Sequence, residues 1–184
     1  KSLQGEVSML SKLVDDLYEL SLADVGALTY RKSECDLNDL LDGCVTMFQE
    51  RCNARHLRLE LELPTTPLRL EADPKRLQQL FSNLLENAVR YTDEGGVLRI
   101  RAASEDGVVR IDFLDSGPGV DADQLPRLFE RFYRGETSRN RASGGAGLGL
   151  AICHSIALAH GGSLSADHSP LGGLWLTLRL PRNT

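Results

Sequence analysis

The chain opens on a helical pattern of apolar residues. In "KSLQGEVSMLSKLVDDLYELSLADVGAL" these fall at Leu3, Val7, Leu10, Val14 and Leu17, spaced 4, 3, 4, 3. That spacing is a heptad seam, and Leu13 and Leu20 widen it. A helix packed on its own domain would also carry an apolar stripe, but a sustained 3.5 period favours a bundle or coiled coil. Gly26 supplies a stop. A second helix runs from about Leu37 to Ala54. From Leu57 to Leu63 the pattern becomes alternation, "LRLELEL", the mark of a half-buried strand. Pro64 and Pro67 bracket a turn, and a short strand from Leu68 to Leu70 leads into "EADPKRLQQL". There Asp73 can cap a helix and Pro74 suits its first position, so a helix is expected to about Tyr91.

Two strands, Val97 to Ala103 and Val108 to Asp115, turn at "SEDG". A glycine-rich loop follows, then a short helix near Asp123 to Phe129 and an irregular stretch to Ala146. The last elements are a helix from about Gly147 to His160 and a hairpin of Ser163 to Ala166 with Leu174 to Leu180. On that final strand Leu174, Leu176, Leu178 and Leu180 share one face, with Thr177 and Arg179 on the other. A sheet apolar on one side takes helices on that side only. The expected fold is an α/β two-layer sandwich, a mixed sheet with helices on one face, preceded by a long helix.

Composition narrows the picture in three ways. The 184 residues are 41 % hydrophobic and 26 % charged, near globular averages, so a core is affordable. A net charge of −5 argues against a generally basic nucleic-acid binder. Cys35, Cys44, Cys52 and Cys153 form no CxxC pair and no zinc spacing with histidine, and read as reduced thiols in a cytosolic compartment. No apolar run approaches the roughly 18 residues of a membrane-spanning helix. The first residue is not Met, and the chain is expected to be a fragment of a longer protein.

Three stretches carry candidate chemistry. On the helix "DPKRLQQLFSNLLENAVRYT", Asn83 and Asn87 lie four apart and share the edge of the apolar stripe with Arg90. An amide oxygen can ligate Mg²⁺, a hard cation; two surface amides making local bonds would look the same. In "VVRIDFLDSGPGV", Val109, Ile111 and Phe113 alternate onto one face and Asp115 continues their register, placing a carboxylate at the end of a buried row. Such a charge needs donors. A purine amino group would serve, as would a backbone amide, while Gly117 and Gly119 let a flat ligand approach the backbone. A tight turn capped by aspartate remains the alternative. "GGAGLGLAI" begins a helix among glycines, where free amides and the helix dipole attract phosphate. It lacks the GK[ST] of a Walker loop and no strand leads into it; a flexible linker is the other reading.

N-x-x-x-N, D-x-G-x-G and G-x-G-x-G thus occur in order on a helix, a strand end and a helix start. The set resembles the Bergerat-type ATP-binding fold of the histidine-kinase catalytic domain. "NLLENAVRYT" matches its N box, "DSGPG" its G1 box, "LFERFYR" its F box and "GGAGLGL" its G2 box. "LSKLVDDLYELSLADVGAL" resembles the second helix of the dimerisation and phosphotransfer domain, giving residues 1–31 to that domain and 32–184 to the catalytic one. "RASGGAGLGLAICHSIALAHGG" is similar to BaeS-like envelope-stress sensor kinases of Gram-negative bacteria.

The resemblance implies ATP and Mg²⁺ as ligands. Asn87 would be the metal ligand with Asn83 nearby, Asp115 the acceptor for the adenine amino group, Tyr91 a wall for the base and Arg90 a residue facing the phosphates. Gly145, Gly147, Leu148 and Gly149 would give backbone contacts to phosphate. Residues 130–146, with Arg131, Arg134, Arg139 and Arg141, would form a lid anchored by Phe129 and Phe132, and the part from Arg134 to Gly145 would be mobile without nucleotide. Gyrase-like relatives carry a catalytic glutamate where this chain has Asn83, so slow hydrolysis is expected, with Glu86 a remote alternative base. None of His56, His154, His160 or His168 is followed by the acid of the phosphoacceptor motif, which places that histidine upstream of Lys1. Implied partners are a response regulator and the chain's own dimerisation domain in a homodimer, with no nucleic acid and no membrane contact by this segment. The implied location is the cytoplasmic part of a bacterial inner-membrane protein. A nucleotide-binding regulatory module without kinase activity, and a gyrase- or chaperone-type ATPase, are the competing functions.

Overall fold

The computed structural model describes residues 2–134 and 147–182. The elements are α1 (Leu3–Asp24), β1 (Ser33–Asp36), α2 (Leu37–Ala54), β2 (Arg58–Glu62), β3 (Arg69–Ala72), α3 (Pro74–Tyr91), β4 (Val97–Glu105), β5 (Val108–Asp115), a 3₁₀ turn (Leu125–Arg127), α4 (Gly149–Ala159), β6 (Ser163–His168) and β7 (Leu174–Pro181). Side-chain caps set two of the helix starts. Asp36 accepts from the Asn38 N–H at 3.0 Å, and Asp73 accepts from Lys75 and Arg76 at 3.1 and 3.2 Å ahead of Pro74.

Five strands form one sheet in the order β2-β4-β5-β7-β6, with β2 parallel to β4 and the rest antiparallel. The inner face of β5 buries Val109, Ile111 and Phe113, and the inner face of β7 buries Leu176, Leu178 and Leu180. Against them lie Leu77, Leu80, Phe81 and Leu84 of α3 and Ile152, Cys153 and Ile156 of α4, all within one core. The Phe81 and Phe113 rings meet at 6.0 Å. This is the expected two-layer arrangement. The outer face is polar but not bare: Trp175, Thr177, Arg101 and Arg110 all donate to the buried Asp112 carboxylate. Burial works to raise its pKa, but these donors outweigh it and hold Asp112 below the usual carboxylate range.

Four expectations need correction. β1 was not foreseen; it pairs antiparallel with β3, Ser33 opposite Ala72, and three of its four residues are polar. The short helix near Asp123 contracts to one 3₁₀ turn. α4 begins at Gly149 rather than Gly147, because Gly147 takes φ +78°, outside the helical region. The α1 seam divides. Leu20 is buried and Leu13 and Leu17 pack against the core, whereas Leu3, Val7, Leu10 and Val14 stay exposed. Part of the stripe therefore docks on its own domain, and the rest faces outward.

His160 ties α4 to the cap of α3. Its Nε2 accepts from the Asp73 N–H at 3.0 Å and its Nδ1 lies 2.8 Å from the Ile156 carbonyl. These partners define a neutral ring protonated on Nδ1, since a proton on Nε2 would face another N–H. Burial pushes the His160 pKa down, with Lys32 adding to the effect against the opposing Ile156 carbonyl and Asp73. A base whose folded pKa is depressed contributes stability that is full above its unfolded value and lost as pH falls through and below it. His160→Phe is expected to cost about 1–3 kcal/mol at pH 8 through the orphaned Asp73 N–H. It should also flatten the loss of stability between pH 7 and 5, read from urea unfolding of both proteins. An unchanged slope would remove His160 from the acid response.

Candidate functional site

The end of α3 and the end of β5, the central strand, meet: the Tyr91 carbonyl stands 2.9 Å from where a Gly117 Cβ would lie, and α4 packs beside α3. β5 delivers Asp115 at its last position. The side chain is 7 % exposed, and Oδ1 accepts from the Gly117 N–H at 2.9 Å and the Leu174 N–H at 3.1 Å. Oδ2 accepts from no donor among the described residues. Burial raises the Asp115 pKa, opposed by the Leu174 and Gly117 amides. The carboxylate is thus held rigidly by one oxygen in a poorly solvated place.

Glycines close around it. A Cβ on Gly173 would lie 1.9 Å from Asp115 Oδ1, and one on Gly117 would lie 2.9 Å from the Tyr91 carbonyl and 3.0 Å from Asp115 Oδ1. Gly119, at φ +69°, rests against the Gly172 and Gly173 carbonyls. The β6–β7 turn and the loop after β5 therefore interlock, and the end of α3 closes a third side. Thr92, the residue after Tyr91, is fully buried, and its hydroxyl oxygen has no partner among the described residues. Its Cα lies 3.4 Å from where a Gly117 Cβ would stand, so Thr92 forms part of the wall of the slot. Sequence reading overlooked Thr92 and the Gly172-Gly173 turn.

On α3, Asn83, Asn87 and Arg90 are all half-buried on one side. Asn83 also lines a groove of about 850 Å³ between α1 and α3, with Gln79, Lys12 and Glu19 on its walls. On the facing helix, the buried Cys153 thiol of α4 donates to the Leu80 carbonyl at 3.5 Å. Glu86 points elsewhere. Both of its oxygens are taken by Arg51 at 2.7 and 2.9 Å, Arg90 stands 3.8 Å away, and the Arg51 bond holds its pKa low. A carboxylate so committed is a poor proton acceptor, which removes the alternative base.

The glycines before α4 behave as two parts. Gly147 packs under Phe132 and Tyr133, where a Cβ would meet the Tyr133 carbonyl at 2.8 Å, and its carbonyl accepts from the Phe132 N–H at 3.0 Å. Leu148 is buried and caps α4 without a side-chain bond. Gly149, the first residue of α4, has nothing within 4 Å of its Cβ position among the described residues, and the first amides of a helix lack partners within it. Phe129 stacks on His154 at 5.4 Å, while Phe132 is exposed. Arg134 is half-buried, and Arg131 makes a bidentate pair with Asp24 of α1 at 2.8 and 2.5 Å. Gly145, Arg139, Arg141 and the expected mobility between Arg134 and Gly145 lie outside the described residues.

The donor set fits an adenine nucleotide with a hard cation. One carboxylate oxygen is presented at a glycine-walled slot, two amides stand on α3, and α4 starts without a side-chain cap. Among the described residues no group of three or more His, Cys, Asp or Glu is placed to hold a metal. A cation here would rely on amide and phosphate oxygens, as Mg²⁺ readily does. No helix among the described residues is long and apolar enough to cross a membrane.

Residues 72–184 match the family described as histidine kinase-, DNA gyrase B-, and HSP90-like ATPase. The chain is 56 % identical over 180 residues to the signal transduction histidine-protein kinase BaeS of Escherichia coli, covering 98 % of this chain and 38 % of that protein. The histidine kinase AdeS of Acinetobacter baumannii superposes with a TM-score of 0.82 at 27 % identity, over 99 % of this chain and 83 % of that one. Full-length ShkA in complex with AMPPNP does so with a TM-score of 0.83 at 29 % identity, over 95 % and 36 %. The matched segment runs from the cap of α3 through every element that builds the site, and the chain belongs to the family of histidine kinase-, DNA gyrase B- and HSP90-like ATPases, on the sensor histidine kinase side of it.

Proposed function

We propose that this chain binds Mg·ATP and serves as the catalytic half of a sensor kinase that transfers the γ-phosphoryl group to a histidine. The carrying observation is Asp115, buried and held through Oδ1 with Oδ2 turned to a slot that glycines keep open. In this reading Oδ2 accepts from the adenine amino group, and Tyr91 flanks the base with Gly117 and Gly119 beside it. Asn87 takes the metal with Asn83 beside it, and Arg90 and Arg134 face the phosphates. The amides at Gly145, Gly147, Leu148 and Gly149 would cradle them. Mg²⁺, when bound, would screen the phosphate charge. The chain itself contributes positioning and fixed charge, which dominate phosphoryl transfer.

Two features favour transfer over hydrolysis. Asn83 is an amide and cannot take a proton from water, and Glu86 is committed to Arg51. The groove reaching Asn83 is walled by α1, so the phosphate end of the site opens toward the stalk helix. We take residues 1–31 as the second helix of a dimerisation and phosphotransfer domain and 32–184 as the catalytic domain. The chain spans well under half the length of BaeS. The acceptor histidine, the response regulator and a cytoplasmic position below a membrane sensor belong to the whole protein and are part of this reading. Among the histidines present, His160 has both ring nitrogens engaged and His154 is stacked on Phe129.

Calorimetric titration should show ATP binding strengthened by Mg²⁺. With γ-labelled ATP the chain alone should yield no stable acid-labile phosphoprotein, and adding a histidine-bearing helix in trans should yield one. Steady multi-turnover hydrolysis without an acceptor would make it a gyrase-type ATPase instead. Absence of nucleotide binding would overturn the reading.

The exposed seam of Leu3, Val7, Leu10 and Val14 is a further consequence of this reading, because one helix of a bundle leaves its partner face bare. The chain should self-associate in light scattering, and Leu10→Glu with Val14→Glu should return it to a monomer. A strict monomer of the unaltered chain at high concentration would contradict this.

A further inference from the structure

The last turn of α3 walls the base slot, and its final carbonyls lie beyond the reach of the helix's own amides. The Thr92 N–H closes the last helical bond, to the Ala88 carbonyl, and Thr92 itself is extended at ψ 132°. The carbonyls after Ala88 need donors from elsewhere. Arg55, the residue that ends α2, supplies two. Its guanidinium donates from Nη1 to the Val89 carbonyl and from Nη2 to the Thr92 carbonyl at 2.9 Å. A positive charge at a helix C-terminus also suits the helix dipole. The root of the side chain is pinned as well. The Arg55 N–H donates to the Cys52 carbonyl at 3.1 Å, and its carbonyl accepts from the Gly95 N–H at 3.3 Å.

The two carbonyls that Arg55 holds bracket the residues facing the slot. Tyr91 lies between them in sequence, and its carbonyl stands 2.9 Å from where a Gly117 Cβ would be; the Thr92 Cα stands 3.4 Å from the same point. The turn continues to Gly96, where a Cβ would lie 2.6 Å from the Thr92 methyl and 2.7 Å from the Ser116 hydroxyl. A turn packed this closely on Ser116 and Gly117 changes the width of the slot if it moves. We propose that Arg55 is a positioning residue for the base: its guanidinium bridges the Val89 and Thr92 carbonyls and so holds the Tyr91–Thr92 wall against Gly117. A guanidinium suits the task, because two N–H groups of one rigid fork serve two carbonyls at once, whereas an ammonium is a point charge on a flexible stem. Arg55 acts through the backbone of α3 and not on the nucleotide. This rests on the Mg·ATP reading above.

Affinities for ATP and for inorganic tripolyphosphate, each with Mg²⁺, are measured well below the melting temperature for the unaltered chain, Arg55→Met and Arg55→Lys. Methionine keeps much of the stem and removes every donor; lysine keeps the charge and removes the fork. Methionine is expected to weaken ATP binding by about 3–10-fold more than tripolyphosphate binding, the scale of one lost orienting hydrogen bond, and lysine by about 2–5-fold more. Equal weakening of both ligands would mean a general loosening of α3. Unchanged affinities with a lower melting temperature would mean a helix cap and nothing more. Either result overturns the proposal, and so does a lysine variant that binds both ligands like the unaltered chain. A second readout needs no nucleotide. The Gly117 amide is bonded to Asp115 Oδ1 at 2.9 Å, and Ile111 lies fully buried within β5. The ratio of their amide exchange rates, Gly117 over Ile111, should rise at least about tenfold in the methionine variant, because loosening the wall frees Gly117 locally. If that variant fails to fold, the lysine variant carries both measurements, with the ratio expected to rise about threefold. An unchanged ratio overturns the proposal. If the unaltered chain binds no ATP, the functional reading fails, and the exchange ratio still decides whether Arg55 braces the slot.

Discussion

Asp115→Asn is expected to lower affinity for ATP by about 30–100-fold while leaving affinity for inorganic tripolyphosphate within about twofold, a difference of roughly 2–3 kcal/mol confined to the base. The substitution keeps the shape. Asparagine Oδ1 can still accept from the Gly117 and Leu174 amides, so the turn that holds the slot survives. What changes is the second position, where an acceptor becomes an NH₂ donor facing the amino group of adenine. The same change should narrow the gap between ATP and GTP, because guanine presents an oxygen there. Stability should move the other way. Burial raises the folded pKa of Asp115 above its unfolded value. Such a carboxyl favours the fold most at acid pH and costs stability once pH rises through that folded pKa. An amide carries no such cost, so the nucleotide-free variant should melt at the same temperature as the unaltered chain, or higher, at pH 7.5. Equal loss for ATP and tripolyphosphate, or a lower melting temperature, would undo the adenine assignment.

Asp115 was legible from sequence for a reason local to its strand. The alternation of Val109, Ile111 and Phe113 put a carboxylate in an apolar row, where folding alone gives it no reason to be. Helices with long apolar stripes were equally legible: α3 begins where Asp73 and Pro74 place it, and α2 spans Leu37–Ala54 as expected. β1 was hidden because "SECD" has no alternation, and its place is set by pairing with β3 across the fold. The division of the α1 stripe was hidden too. A heptad says that a face is apolar, and only packing says which part of it finds the domain.

Contacts between distant segments were the least visible part of the site. Cys153 and Leu80 lie on different helices, and nothing local to either marks the thiol-to-carbonyl bond between them. Thr92 looks like the end of a helix in sequence, and its burial shows only in the fold, where Gly96 faces its methyl and Gly117 its Cα. Glu86 passed for a possible base until Arg51 of α2 took both of its oxygens.

Gly172-Gly173 is the sharpest case, since in sequence it is only a hairpin link. Gly173→Ala is expected to destabilise the chain by about 3 kcal/mol or more and to reduce ATP binding by more than about 100-fold. Its new methyl would stand 1.9 Å from Asp115 Oδ1, 2.6 Å from the Gly117 N and 2.7 Å from the Asp115 carbonyl. None of these is the end of a flexible chain. The carboxylate is held by two amides, and the other two atoms are backbone. Relief requires the β6–β7 turn to back away. That breaks the Gly173 N–H bond to the Asp115 carbonyl at 3.1 Å and the Leu174 N–H bond to Oδ1, and with them the rigid presentation of Oδ2. Gly43→Ala supplies the contrast. Gly43 lies exposed within α2 with nothing within 4 Å of its Cβ position, so alanine there should stabilise the chain by about 0.5–1 kcal/mol and leave binding untouched. Urea unfolding and an ATP titration on both variants give the comparison. If Gly173→Ala unfolds and binds like the unaltered chain, the turn does not build the base slot, and Asp115 must be held for the fold alone.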